Sequence, residues 1–327
     1  MNLKKGKPMA KMFGYGSIKL FAGSASQDLA KAIADYLGLP LEAYDLVEFP
    51  NENLFVRLQG SVRGQDVFLI QSMSPPVHRN LMELLIMVDC FKRDSAGRVT
   101  LVMPYMSYAR SDKKDQPRVP ITARLVADMI EVAGTDRYVT IDLHAGQIQG
   151  FFSIPSDVLT AFHLLSDYFF DLHLPDTVVA TADLGFAKKG RNFAAKLGTP
   201  LAFVEKRRKG DDPRARATTI IGEVEGKNVI LVDDEVLTCG SMSEAVEILR
   251  DHGAAEIYLS FTHALLVPPA TERLAGLGLR EIVTTNTVSI PPEKRLPNLR
   301  VLSVAPLLAE VILRAHEGRS VGELFNE

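Results

Sequence analysis

Asn228-Val-Ile-Leu-Val-Asp-Asp-Glu-Val-Leu-Thr-Cys-Gly-Ser-Met-Ser-Glu244 is the stretch that decides the fold. Residues 229–232 form a continuous aliphatic run, short enough for a strand buried on both faces of a parallel sheet. Asp233 and Asp234 follow at its carboxyl end, where the loops of open α/β sheets converge on a ligand crevice. Thr238-Cys239-Gly240-Ser241 comes next, small and hydroxyl-bearing, ahead of an amphipathic run with Ala245, Val246 and Leu249. Ser241 and Glu244 have capping-box spacing and Gly253 supplies a stop, so the spacing predicts a helix capped by Ser241. Backbone N–H groups and hydroxyls at a helix start cradle a phosphate. Two carboxylates would repel that phosphate unless they hold sugar hydroxyls or a metal, so the stretch reads as a site for a phosphorylated sugar. The bland alternative is a solvated turn with two chance acids.

Outward from that stretch, residues 255–261 read as the returning strand. The same order of strand, small-residue loop, helix and strand occurs earlier, over residues 66–71, 72–79, a helix capped by Asn80 with Leu84, Leu85 and Val88, and 98–103. Before it, a strand over 18–22 leads to a helix capped by Ser26. Two copies of one unit predict two similar α/β domains, which suits 327 residues. The first copy lacks an acid pair, so the second is expected to hold the sugar phosphate. A net charge of −3 argues against wholesale nucleic-acid binding. No run is long and apolar enough for a bilayer, and no secretory leader is expected. Cys90 and Cys239 are too few and scattered for a disulfide framework or a zinc site, which points to a cytoplasmic location.

Other stretches hold candidate chemistry. Phe49-Pro-Asn51-Glu-Asn53 is an exposed-looking turn. Residues 104–118, with Tyr105, Tyr108, Arg110, Lys113, Lys114, Asp115 and Arg118, have the density of cations and aromatics that can bind a nucleotide, or simply form a solvated loop. A strand over 139–143 closes on Asp142-Leu-His144, in which an imidazole beside a carboxylate is either a ligand of Mg²⁺ or its waters, or structural. A strand over 178–182 exits at Asp183, a second place for a metal phosphate. Residues 205–214 are too charged to pack and are expected to be a mobile loop, able to close over a transferring phosphoryl group.

Taken together these motifs identify a family. Lys19-Leu-Phe-Ala-Gly23, Asn80-Leu-Met-Glu-Leu-Leu-Ile86, Tyr108-Ala-Arg-Ser-Asp-Lys-Lys114, Pro120-Ile-Thr-Ala123, Asp142-Leu-His-Ala145, Gln147-Ile-Gln-Gly-Phe-Phe152, Lys206-Arg-Arg208 and the Asp233-Asp234 loop, in that order, resemble the ribose-phosphate pyrophosphokinases from about residue 19 to 325. The resemblance implies two phosphoribosyltransferase-like domains, 19–157 and 158–307, each a mainly parallel sheet flanked by helices. Residues 1–18 are then an extension, and the helix within 308–327 packs on the first domain. It implies transfer of the β,γ-diphosphoryl group of ATP to the C1 hydroxyl of ribose 5-phosphate, with Mg²⁺ as cofactor. The ATP site is similar to Phe49, Asn51, Arg110, Asp115 and His144, and the metal site to His144 and Asp183. Lys206 and Arg208 match the catalytic cations. Asp233 and Asp234 match the ribose ligands, and Thr238, Cys239, Gly240 and Ser241 the 5-phosphate cradle. Homodimers assembling to a hexamer, with ATP at a subunit boundary, are implied as well. The chain departs from the family pattern at Leu237, where an acid is usual, at Asn53, where Glu is usual, and at Phe186, Gly146 and Val158. The first three departures motivate a second reading, a non-catalytic subunit of a synthetase; a phosphoribosyltransferase is a third.

Overall fold

The computed structural model describes residues 14–182, 184–208 and 216–322. Its first half runs β1 (Ile18–Ala22), α1 (Gln27–Leu37), β2 (Tyr44–Glu48), β3 (Leu54–Leu58), β4 (Asp66–Ile70), α2 (Val77–Arg93), β5 (Arg98–Val102), α3 (Thr122–Val132), β6 (Arg137–Ile141) and β7 (Ser156–Leu159). Strands β1, β4, β5, β6 and β7 lie side by side in that order, all parallel. The pair β2–β3 stands apart as an antiparallel hairpin. All five residues of β4 are buried, as a parallel strand covered on both faces requires. The boundary expected after residue 157 falls inside β7, which still belongs to this sheet.

The second half runs α4 (Phe162–Asp171), β8 (Thr177–Thr181), α5 (Ala187–Leu197), β9 (Leu201–Arg208), β10 (Arg216–Ile221), β11 (Asn228–Val236), α6 (Gly240–Asp251), β12 (Glu256–Ala264), α7 (Ala270–Gly276), β13 (Glu281–Thr285), β14 (Leu299–Leu302) and α8 (Ala305–Glu317). Its sheet has the order β10-β9-β8-β11-β12-β13-β14 and is parallel except for the edge pair β9–β10. From β8 the chain steps outward to β9 on one side, and from β11 outward to β12 on the other. The point where strand order reverses therefore lies between β8 and β11, the place where such sheets bind ligands. Among the described strands, the first sheet runs in one direction throughout and has no reversal.

The sheets share apolar packing. Ile230 and Val232 of β11 lie in the same buried cluster as Val139 and Ile141 of β6 and Leu308 and Ile312 of α8. Each side chain of this size, fully buried, contributes about 1.5–3 kcal/mol. Helix α8 packs against α1, and its end is tied to the first sheet. Arg98 grips the fully buried Asp66 with Nε at 2.8 Å and Nη2 at 2.6 Å, and donates to the Ala315 carbonyl at 3.0 Å. His316 Nδ1 reaches Asp66 at 2.8 Å.

Several local expectations need correction. Ser26 does precede α1, but its hydroxyl accepts from the Ser72 N–H at 2.9 Å instead of capping the helix. Asn80 sits inside α2, which starts three residues earlier behind Pro76, and its amide donates to the Ser74 carbonyl at 2.8 Å. Strand β11 extends four residues past the aliphatic run, through both aspartates. The expected mobile loop is strand up to Arg208 and again from Arg216, paired in register; residues 209–215 lie outside the described residues. An edge hairpin tolerates such charge because one edge of it stays in water.

Candidate functional site

Strand β11 builds the site by outrunning its neighbour. It pairs with β8 only as far as Val232, opposite Thr181, whereas on its other edge it continues along β12 to Val236, opposite Ala264. Asp233, Asp234 and Glu235 therefore lie on a strand with one edge open at the switch point. The turn after it carries Cys239 at φ 63°, and α6 starts at Gly240 with no side chain capping it. Ser241 is thus in the first helical turn and not the cap, because the left-handed Cys239 sets the start. No side chain caps the helix start, and its first N–H groups with the hydroxyls of Thr238 and Ser241 are the kind of donors that can cradle an anion. Cys239 differs from its neighbours in the loop: its thiol is buried in the core, and burial raises its pKa, so only its backbone faces this task. Arg273 donates to the Thr238 carbonyl at 2.9 Å and adds a cation behind the loop.

Asp234 is buried and accepts from His144, Nδ1 to Oδ2 at 2.7 Å. Burial alone would raise its pKa; the His144 hydrogen bond and charge outweigh that and hold it at about 2. The same bond raises the His144 pKa. Asp233 accepts from the Asp234 N–H at 2.9 Å. The carboxylate beside His144 is therefore Asp234, from the other half of the chain, and not Asp142. Asp142 is structural: its oxygens take Thr160 Oγ1 at 2.9 Å, the Ala161 N–H at 3.0 Å and Thr262 Oγ1 at 2.8 Å, with Lys189 Nζ at 3.4 Å. Burial opposes its ionised form, and Lys189 with these donors lowers the pKa nonetheless. With Nδ1 engaged, the His144 ring has Nε2 left for a metal, the arrangement in which a hydrogen-bonded carboxylate orients a ligating imidazole. Mg²⁺ prefers oxygen, takes few protein ligands and keeps water and phosphate oxygens, so one carboxylate beside an imidazole can suffice as the protein's share. Asp183 lies outside the described residues, and among those described no three His, Cys, Asp or Glu side chains gather around one point.

Arg110 joins this crevice through an ion pair between its Nε and Oε1 of Glu235. It lines one cavity of about 360 Å³ of empty space together with Asp233, Leu237, Thr238, Gly240 and Ser241. Leu237, the unusual residue, walls that cavity and leaves it open. Phe186 likewise walls a neighbouring space of about 360 Å³ with Asp142, Lys189 and Asp233, the Lys189 Nζ lying 5.4 Å from its ring centre. Other candidates stand apart. Phe49 is 47% exposed and Asn51 exposed, in the β2–β3 turn, where Asn51 Oδ1 accepts from the Asn53 N–H at 3.3 Å. Asp115 is exposed on the segment after Arg110. None of the three lines the crevice cavities. Lys206 and Arg208 have backbone partners Thr218 and Arg216 on β10; their side chains are outside the described residues. The sequence reading missed Glu235, Lys189 and Arg273, and of these only Glu235 carried a signal, the third acid in a row; Tyr105 belonged to the stretch read as a nucleotide site and lies here against Glu235.

A family model described as the N-terminal domain of ribose phosphate pyrophosphokinase matches residues 18–134, and one described as the phosphoribosyl synthetase-associated domain matches residues 212–326. The ribose-phosphate pyrophosphokinase of Caldanaerobacter subterraneus subsp. tengcongensis is 50% identical over 313 residues, 94% of this chain and 98% of that one. The chain belongs to the ribose-phosphate pyrophosphokinase family. The pyrophosphokinase of Bacillus subtilis is 42% identical over 321 residues, 97% of this chain and 100% of that one. Among solved structures, the phosphoribosylpyrophosphate synthetase of Mycobacterium smegmatis superposes with a TM-score of 0.88 at 43% identity, covering 93% of this chain and 100% of that chain. The pyrophosphokinase fold thus accommodates Leu237 and Phe186 without rearrangement on this scale.

Proposed function

We propose that the chain transfers the β,γ-diphosphoryl group of ATP to the C1 hydroxyl of ribose 5-phosphate, giving 5-phosphoribosyl 1-diphosphate and AMP. The observation that carries this reading is the meeting, at the strand-order reversal, of an acid pair, an uncapped helix start and an Arg110–Glu235, His144–Asp234 wall. Relatives named for this activity at 42–50% identity over nearly the whole chain favour it over a non-catalytic subunit.

In this assignment Asp233 and the free oxygen of Asp234 hold the ribose hydroxyls. The head of α6, with Thr238, Gly240 and Ser241 and the backbone of Cys239, holds the 5-phosphate. Arg110 and His144 align the triphosphate. Lys206 and Arg208, at the end of the β9 hairpin arm, neutralise charge as the phosphoryl group moves, the kind of contact worth most in the transition state. Mg²⁺, which we assign to His144 and Asp183, would supply charge neutralisation on the phosphates. In-line phosphoryl transfer asks little more of a protein than positioning and neutralisation.

Phe49, Asn51 and Asp115, which line none of the crevice cavities, are assigned to the adenine of a neighbouring subunit's site, which makes a homo-oligomer, dimers assembling to a hexamer, part of the proposal. No described helix is long and apolar enough to cross a membrane; a cytoplasmic location is proposed.

The direct test is AMP release from ATP and Mg²⁺ with and without ribose 5-phosphate. AMP formation that requires the sugar phosphate is expected; a folded sample with no AMP above background would favour the non-catalytic subunit.

A further inference from the structure

Glu235 is an acid for which the proposed reaction has no use. It is buried, 7% exposed, one residue beyond the acid pair, and its Oε1 is paired with Nε of Arg110, whose side chain is 54% exposed. The Tyr105 phenol lies close to the same carboxylate: burial first, then the Glu235 charge, pushes it well above its usual range. Tyr105 is in turn fixed edge-on against the buried His263 ring, centroids 5.0 Å apart. Glu235 lines both the space containing His144 and Asp234 and the space containing Thr238 and Ser241. A carboxylate out of water is costly unless paired, and this one is paired with a side chain that reaches into the crevice.

A guanidinium held at Nε keeps both Nη groups for a ligand, in a fixed plane. A free arginine must instead give up rotamer freedom when a ligand binds. We infer that Glu235 is a positioning residue: with Tyr105 behind it, it fixes Arg110 across the crevice so that the Nη groups meet the triphosphate. The inference rests on the assignment of Arg110 to the nucleotide. Two effects oppose each other when the anchor is removed. Ordering Arg110 becomes part of binding, and one negative charge near the phosphates disappears. Because the guanidinium is more than half exposed, water and salt screen the second effect, so the first prevails.

The test is the affinity of the full chain for α,β-methylene-ATP with Mg²⁺, by calorimetry, for Glu235→Gln and Glu235→Met, each also combined with Arg110→Ala. Gln keeps the volume and an acceptor for the Nε–H; Met keeps the volume without one. Glu235→Gln is expected within about twofold of the unmodified chain, and Glu235→Met about five- to tenfold weaker. With Arg110 already Ala, Glu235→Met should add nothing. Equal affinities for the Gln and Met variants, an equal loss without Arg110, or no binding by the unmodified chain overturns the inference. If Glu235→Met fails to fold, Glu235→Leu replaces it with the same expectations. A chain that binds the analogue but releases no AMP refutes the reaction and leaves the Glu235 result standing.

Discussion

At the scale of single residues, the site is surrounded by buried polar groups whose protonation is set by their partners. His263 is the clearest case. Its Nε2 lies 3.1 Å from the Ile141 carbonyl, which can only accept, so Nε2 carries the proton and Nδ1 accepts from Thr287 Oγ1 at 2.9 Å. Burial lowers its pKa, outweighing the acids nearby. The folded protein therefore takes up this proton at lower pH than the unfolded chain does. Stability from this group is intact above the unfolded value of 6.5 and is lost as pH falls below it, until the folded pKa is reached. The slope approaches about 1.4 kcal/mol per pH unit in that window. Urea melts at pH 7.5 and 5.5 should show a larger loss for the unmodified protein than for His263→Gln; equal losses would rule out the buried neutral histidine. The Asp142-Leu-His144 stretch shows what sequence could deliver at this scale. It exposed both residues as special but could not tell that Asp142 is saturated by Thr160, Ala161 and Thr262 while His144 turns to Asp234, since that choice is made by contacts 90 and 120 residues apart.

At the scale of elements, strand ends decide the chemistry. The aliphatic run 229–232 marked β11, yet its last four residues are held by one neighbour only, so alternation along them was hidden by the acids. Extending the strand puts Glu235 in the pattern that sequence alone cut short at Val232. The β9–β10 hairpin was misread for a related reason: charge in Lys206, Arg207 and Arg208 suggested a loop, whereas cross-strand pairing with Arg216, Ala217 and Thr218 holds their backbone as an edge. Residues on such an arm have a defined backbone. Lys206→Ala or Arg208→Ala should lower kcat by roughly a hundredfold or more while changing ribose 5-phosphate affinity by less than about threefold, because the contact we propose for them is confined to the transition state. Steady-state kinetics paired with equilibrium binding of the sugar phosphate checks this; unchanged kcat, or a loss wholly in affinity, would contradict the role.

For the whole molecule, duplication without equivalence is the governing feature. Both halves repeat strand, loop and helix, which the repeated sequence pattern made visible, but among the described strands only the second sheet reverses its order and so opens a crevice. The absence of an acid pair after β4 pointed the same way. What pattern could not supply was the docking: His144 from the first half meets Asp234 from the second, Arg110 meets Glu235, and α8 returns to Asp66 and Arg98. Splitting the chain between the halves would separate each of these pairs, so the active crevice is a property of both halves together. In the proposed reaction this crevice passes two phosphoryl units together to the anomeric oxygen of a sugar phosphate. Phosphorus NMR of the chain with ATP, Mg²⁺ and ribose 5-phosphate tests it directly. The predicted result is AMP and a C1 diphosphate ester growing in equal amounts; ADP with a monophosphorylated sugar, or ATP left unchanged, would contradict it.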